Sequence, residues 1–458
     1  MSALDRDPGD AVTREAGPRG SAYAVEHVTC LGCGCACDDI RVVVRDGRIV
    51  RAEQACPLGA TWFGDGVVPG RASVGGHASA LEPALDRAAA LLAGAARPLV
   101  YVAPALSCEA QRAAVAVADL LAARLDSVTS ATVGVATLAA QRRGRAGATL
   151  GEVRNRADLV VFWAVDPDVR YPRFTERYAP LPAGLVVPAG RGSRTVVAVD
   201  VGAACGYAAA DARLAVTAED EGGAIAAARA ALLDGTRAAA LLPADAPWLA
   251  PAQELARRIA AARYVAIVYD GEAPDAGSRA EGLMALAQAA NGPTRCALVA
   301  LRAGGNRSGA EAVFTWQTGF PMAVDFAQGA PRYEAGREHA VAALATHDVV
   351  LLVGDSAGVP TAVANALAHV PCVAVGPFAS EIAPTAEVAV DVGLPGVHEG
   401  GTALRLDDVP LPLRAVLPGA APDAVAVLAA LTARLRAQRQ GRAAAGGARN
   451  VSADGRGG

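Results

Sequence analysis

Short runs that are apolar at every or nearly every residue recur along the chain, among them Leu159-Val160-Val161-Phe162-Trp163, Thr195-Val196-Val197-Ala198-Val199 and Val349-Val350-Leu351-Leu352-Val353. A strand that is apolar at each position, not at every second one, has to be covered on both faces. Similar runs lie at Leu99 to Val102, Tyr264 to Tyr269, Ala297 to Leu301 and Cys372 to Val375. Helical periodicity separates them over Leu81 to Ala93, Glu109 to Leu125, Arg279 to Ala290 and Pro360 to Ala368. Helices between such strands are the crossovers that parallel pairing requires, so the class is α/β with at least two doubly wound sheets.

The N-terminal part reads differently. Cys30, Cys33 and Cys37 are followed at a distance by Cys56-Pro57-Leu58-Gly59. Between them, Ile40 to Arg45 and Arg48 to Arg51 flank Asp46-Gly47, a dipeptide that tolerates positive φ, which predicts a β-hairpin. Pairing its strands carries Cys56 back toward the Cys30 to Cys37 loop. Three thiolates from one tight loop and a fourth from a distant return suit a [4Fe-4S] cluster, whereas structural zinc more often uses two separate Cys-x2-Cys knuckles. Spacing therefore favours iron–sulfur over zinc at Cys30, Cys33, Cys37 and Cys56, with a site that holds no metal as the third reading. Cys35 stands outside this ligand set.

Composition excludes several classes. Charged residues are 19% and hydrophobic ones 53%, which is globular and not disordered. A net charge of −4 gives no reason to expect nucleic acid, and the absence of lysine beside abundant arginine and alanine reads as a coding bias. Nine cysteines in 458 residues are too few for a disulfide scaffold and fit a reducing cytoplasm. Residues Met1 to Gly20 lack the apolar core of a signal peptide, and no run is long and apolar enough for a membrane span. The stretch from Gln438 to Gly458 has no periodicity and is expected to be disordered.

Polar turns follow several strands: Asp200 after Val199, Gly354-Asp355-Ser356-Ala357-Gly358 after Val353, and Arg302-Ala303-Gly304-Gly305-Asn306 after Leu301. Each is also what a strand-ending turn needs without any ligand. His27, His77, His339, His347, His369 and His398 have no metal-ligand spacing and read as surface or helix-end residues. No nucleophile elbow and no phosphate-binding Gly-x4-Gly-Lys loop occurs.

Several longer stretches occur in a fixed order: Cys30 to Ile40, Ser107-Cys108-Glu109-Ala110-Gln111, Gly151 to Asp158, Asp166-Pro167 with Pro172-Arg173 and Arg177-Tyr178, and Thr315 to Pro321. Gly400-Gly401-Thr402-Ala403 and Val409-Pro410-Leu411 close the series. From Val28 to about Arg414 the chain resembles the molybdopterin oxidoreductase superfamily and, within it, the B subunit of formylmethanofuran dehydrogenase. The resemblance implies a [4Fe-4S] cluster beside a tungsten or molybdenum ion held by two pterin dithiolenes and one protein thiolate or selenolate. That ligand is expected after a strand in a Cys-His-Gly setting, where this chain has Ser130-Ala131-Thr132-Val133-Gly134. A neutral threonine hydroxyl does not replace a thiolate on a soft metal, and valine relays no proton. Near Asn306 the family has arginine just before the glycine, whereas this chain has Arg307-Ser308-Gly309.

These departures imply a chain that keeps the fold and loses the redox centre, with no catalytic residue of its own. The bacterial formyltransferase/hydrolase complex, related to formylmethanofuran dehydrogenase, fits that description. It passes a formyl group from formyl-tetrahydromethanopterin to a methylofuran carrier and hydrolyses it to formate. The resemblance implies a formyltransferase subunit, an amidohydrolase-like hydrolase subunit and a further dehydrogenase-like subunit as partners, and no tungsten or molybdenum pterin. Two other readings stay open: a working tungsten or molybdenum dehydrogenase subunit with an unusual ligand, and a cluster-bearing electron-transfer module. Occupied and unoccupied cysteines are both compatible with the first reading. The expected layout is a disordered 1–20, a cysteine-rich domain at 21–75, a discontinuous α/β domain at 76–145 and 301–415, an inserted Rossmann-like domain at 146–300, a helix at 416–437 and a disordered 438–458, without the C-terminal β-barrel of larger superfamily members.

Overall fold

The computed structural model describes residues 22–239, 243, 245–273, 276–333, 346–355, 358–383 and 385–453. The expected N-terminal disorder, Ser356 and His339 fall outside them. The chain forms a mixed α/β fold with several sheets, divided into two compact units. Among the described residues no helix is long and apolar enough to cross a membrane.

The first unit comprises Met1–Ala123, Thr346–Ala403 and Pro410–Gly458. Four parallel strands lie in the order Pro98–Val102, Val349–Val353, Cys372–Gly376, Val388–Asp391. The short antiparallel pair Ala72–Val74 and His77–Ser79 extends them. All four parallel strands are buried at every residue, as their apolar character requires. The helix Ala424–Ala453 packs on Leu81–Gly94 and on Cys108–Leu121. It continues beyond residue 437, where the sequence pattern ends it, because the Arg- and Ala-rich stretch that lacks an apolar stripe still consists largely of good helix formers. The cysteine module is a three-stranded antiparallel sheet: the expected hairpin Ile40–Arg45 and Arg48–Glu53, with Asp46 and Gly47 both at positive φ (51° and 73°), plus Tyr23–Val28 on its other edge. That added strand carries no turn signal before the cysteine loop, which is why pattern alone does not show it.

The second unit comprises Arg124–Ala345 and Leu404–Val409. Its five parallel strands run in the order Ala212–Val216, Thr195–Val201, Leu159–Trp163, Tyr264–Asp270, Arg295–Leu301. Strand order reverses on either side of Leu159–Trp163, the signature of a doubly wound sheet. Leu159–Trp163 and Tyr264–Asp270 are buried at every residue. The helix Val128–Arg143 packs on Ala276–Ala290, where a Cβ at Gly277 would lie 2.8 Å from Val135 Cβ. This contact places residues 124–145 in the second unit, so the units divide after Ala123 and after Ala345, not at 145 and 300.

One expected helix is shorter than its periodicity suggests. Cys108–Leu121 stops where Ala122 turns left-handed (φ 52°), and Arg124–Ser127 becomes a short strand. Ala-Ala-Arg-Leu continues the helical pattern in sequence, so only tertiary pairing with Val324–Asp325 reveals the strand.

Candidate functional site

The cysteine loop is closed by its own backbone. Cys30 N–H donates to Cys37 O at 2.8 Å, and Ala36 N–H to Cys33 O at 3.1 Å. Gly32 N–H donates to Cys30 Sγ at 3.3 Å. Cys56 stands at the N-cap of the helix Pro57–Phe63, with proline in the first turn where no amide hydrogen is needed. That helix start lies directly on the loop: a Cβ at Gly59 would sit 3.1 Å from Cys30 Sγ, and one at Gly32 2.7 Å from Leu58 O. The run Cys56-Pro57-Leu58-Gly59 is thus a docking element in which a side chain at the last position would displace the first cysteine.

The four predicted sulfurs share one field. Burial pushes the Cys30 thiol far up, Gly32 N–H opposes this, and Cys37, Cys33 and Cys56 each add to the rise. Cys33 is shifted the other way, first by a hydrogen bond with Cys35 and then, against its burial, by the Cys35 and Ala36 amides. Cys30 and Cys37 belong to an apolar cluster with Val28, Ile40, Val42 and Phe63, completed by Leu394, Val397, Val416 and Leu417. Four soft donors gathered in this way match iron–sulfur or zinc in kind. Among the described residues no group of three or more His, Cys, Asp or Glu side chains is placed to hold a metal ion. Cys35, outside the predicted set, is buried and hydrogen-bonded to Cys33.

In the second unit, Thr132 and Val133 lie within the helix Val128–Arg143 that Ser127 begins. Thr132 Oγ1 donates to Thr129 O at 3.2 Å, and Val133 is buried. Arg307, in the same unit, donates from Nε to Gly304 O at 3.0 Å and pairs through Nη1 with Glu272 at 3.1 Å. Glu272 also holds Arg302 at 2.7 Å, and Arg302 binds Glu311 at 2.7 Å. The charges at this strand end are therefore spent on one another. Asp200 likewise accepts Gly206 N–H at 2.7 Å and pairs with Arg213 at 2.5 Å.

Other ordered stretches also find partners. Ser107 Oγ caps its helix by accepting Ala110 N–H at 3.2 Å. Glu109 accepts Thr402 N–H at 2.9 Å and Thr402 Oγ1–H at 3.0 Å, so the Ser107 and Gly400 motifs meet. Three buried polar groups have no local sequence signal because their partners are remote. Glu221 accepts Trp163 Nε1–H at 2.7 Å and Arg279 Nε–H at 2.6 Å. His398, expected at the surface, is buried: its Nδ1 accepts Leu394 N–H at 3.0 Å and its Nε2 lies 2.8 Å from Gly66 O. Glu399 is also buried; one carboxylate oxygen accepts Ala424 N–H at 2.9 Å and the other has no hydrogen-bond partner among the described residues.

A four-cysteine hairpin module joined to doubly wound α/β structure defines the class: a multi-segment α/β chain with a thiol cluster at its N-terminal end. No family model matches the chain. It is 30% identical over 413 residues to the B subunit of the tungsten-containing formylmethanofuran dehydrogenase 2 of Methanocaldococcus jannaschii, spanning 86% of this chain and 94% of that protein. The protein of the same description in Methanococcus maripaludis is 29% identical over 417 residues, with the same coverage. The chain belongs to the B-subunit family of formylmethanofuran dehydrogenase. Among solved structures, a chain in the crystal structure of the formyltransferase/hydrolase complex from Methylorubrum extorquens with methylofuran superposes with a TM-score of 0.67 at 26% identity, covering 80% of this chain and 99% of that one.

Proposed function

We propose that this chain is the non-redox B subunit of a formyltransferase/hydrolase complex, in which partner subunits carry the chemistry. The observation that carries the reading is Thr132. At the position where the family resemblance expects the metal thiolate, the chain has a hydroxyl bonded to a carbonyl of its own helix. Formyl transfer to a furan carrier and hydrolysis to formate change no oxidation state, so neither step needs a redox metal. The likeness to a chain of a formyltransferase/hydrolase complex supports the same reading. In it the partners are a formyltransferase subunit, an amidohydrolase-like hydrolase subunit and a further dehydrogenase-like subunit, in the cytoplasm. The fold is then of molybdopterin oxidoreductase type without the C-terminal barrel. Cys30, Cys33, Cys37 and Cys56 are the ligands of any cluster or zinc that the module holds, and their role is to staple the hairpin.

A second reading, a redox-active tungsten or molybdenum subunit, is favoured by the relatives from Methanocaldococcus and Methanococcus. Elemental analysis of the anaerobically purified native complex separates the two. Tungsten or molybdenum near one per chain overturns the proposal, and absence of both together with formyl transfer activity supports it. About four irons per chain beyond partner-bound metal would assign a cluster to the cysteines.

A further inference from the structure

The segment from Pro180 to Val187 in the second unit is held more firmly than a surface connection needs to be. Arg194, only 5% exposed, donates its whole guanidinium to backbone carbonyls: Nε to Ala157 at 3.0 Å, Nη1 to Pro180 at 2.8 Å and to Pro182, and Nη2 to Arg154. Asn155 receives Leu185 N–H on its side chain at 3.2 Å and Val186 N–H on its carbonyl at 3.0 Å. Two glycines allow the fit: a Cβ at Gly184 would lie 2.2 Å from Arg154 O, and one at Gly190, where φ is 56°, 2.4 Å from Leu181 O. What this scaffold presents is apolar. Leu185 is 83% exposed, Leu181 49% and Val186 41%.

A rigid loop showing large aliphatic side chains to water has the form of a pre-organised anchor, which binds with little ordering cost. Its surroundings indicate the charge of what it meets. Val186 borders a cavity of about 530 Å³ whose charged lining is Arg156, Arg263, Arg295 and a single carboxylate, Glu152. Glu152 is engaged by Arg156 at 3.0 Å and Arg263 is paired with Asp158 at 3.4 Å, which leaves Arg295 as the least compensated cation of the three.

We propose that the Pro180–Val187 loop is a docking knob for another subunit of the complex, whose complementary surface is an apolar recess for Leu185 and Leu181 with carboxylates on the side that faces Arg295. This rests on the chain being a complex subunit; the loop and its charge are its own contribution. The test uses the complex co-expressed with all its subunits, comparing wild type with Leu185→Asp, Leu181→Asp and Arg295→Glu, and with Leu233→Asp as an exposed apolar control elsewhere on the unit. Native mass spectrometry gives subunit stoichiometry, dilution gives the dissociation constant, and thermal unfolding of each variant shows whether the chain is folded. The expected result is association at least about tenfold weaker for Leu185→Asp. Arg295→Glu weakens association by a smaller factor that shrinks as salt rises, while Leu233→Asp assembles as wild type does. Wild-type assembly that Leu185→Asp and Arg295→Glu leave unchanged overturns the docking knob alone. A knob that mediates pairing of two copies of this chain, with the other subunits still bound, overturns it as well. A wild-type chain that purifies without partners overturns the proposed function and the knob together.

Discussion

Glu399 makes the stability of the first unit depend on pH in a direction opposite to that of most carboxylates. Burial raises its pKa from the usual 4.5 to about 7, against the Ala424 amide that favours the charged form, and the Asp423 and Glu109 carboxylates add to the rise. A raised pKa means that the folded chain binds the proton more tightly than the unfolded chain. The stabilisation is complete below about pH 4.5 and is lost as pH climbs through about 7. At about 1.4 kcal/mol per pH unit, the loss between these limits is at most about 3.5 kcal/mol. Glu399→Gln keeps an oxygen for Ala424 N–H, cannot ionise, and places an amide where one carboxylate oxygen has no partner among the described residues. Its advantage over wild type should be small at pH 5 and approach about 3 kcal/mol at pH 8. Urea unfolding followed by far-ultraviolet circular dichroism at pH 5, 6, 7 and 8 reads the difference directly, because the first unit holds the long helix Ala424–Ala453. A gap between the two proteins that is the same at pH 5 and pH 8 would refute the reasoning, since it would mean that Glu399 carries the same charge throughout.

Three further outcomes are expected. Arg279→Leu removes the cation from the buried Glu221 carboxylate, leaving it the Trp163 indole, and should cost about 3–5 kcal/mol in urea unfolding, whereas the double change with Glu221→Leu should recover a large part of it. Gly184→Ala forces the backbone at Arg154 aside, so limited proteolysis should cut between Leu181 and Val186 at least several-fold faster than in wild type; equal rates would show that the loop is not under this constraint. In chelator-treated protein at pH 8, Cys33, half-buried and with its thiol shifted down, should take up maleimide well before the buried Cys30, and peptide mapping that finds equal labelling would contradict the loop geometry.

The strands were legible because their chemistry is one-dimensional: Leu159–Trp163 and Val349–Val353 are apolar at every residue and have the bounds their sequence suggests. The hairpin was legible for a similar local reason, since Asp46-Gly47 accepts the φ values that a two-residue turn demands. What escaped the sequence is held by distant partners. Glu221 meets a tryptophan and an arginine each 58 residues away, and Glu399 caps a helix that starts 25 residues later. For the cysteines, the sequence offers a candidate set, and Cys37, Cys33 and Cys56 lie near enough to Cys30 to raise its thiol. Their burial in a core shared with Leu394 and Val416 is a property of packing that no spacing rule contains. Thr132 is a different case: its identity is plain in the sequence, but that its hydroxyl is occupied by Thr129 O depends on a helix that a strand-end motif does not announce.

The way the first unit is assembled from three stretches of chain also has a timetable. Ala123 leaves the ribosome 223 residues before Thr346, and at about 5–20 residues per second that interval lasts about 10–45 s. During it Pro98–Val102 has no Val349–Val353 to pair with, and the Cys30 to Cys37 loop lacks Leu394, Val397, Val416 and Leu417, which later seal it. The nascent chain therefore carries a cluster of accessible thiols for longer than many small domains take to fold. The arrival of residues 394 to 417 closes that window for Cys30 and Cys37, which share one apolar cluster with Leu394, Val397, Val416 and Leu417.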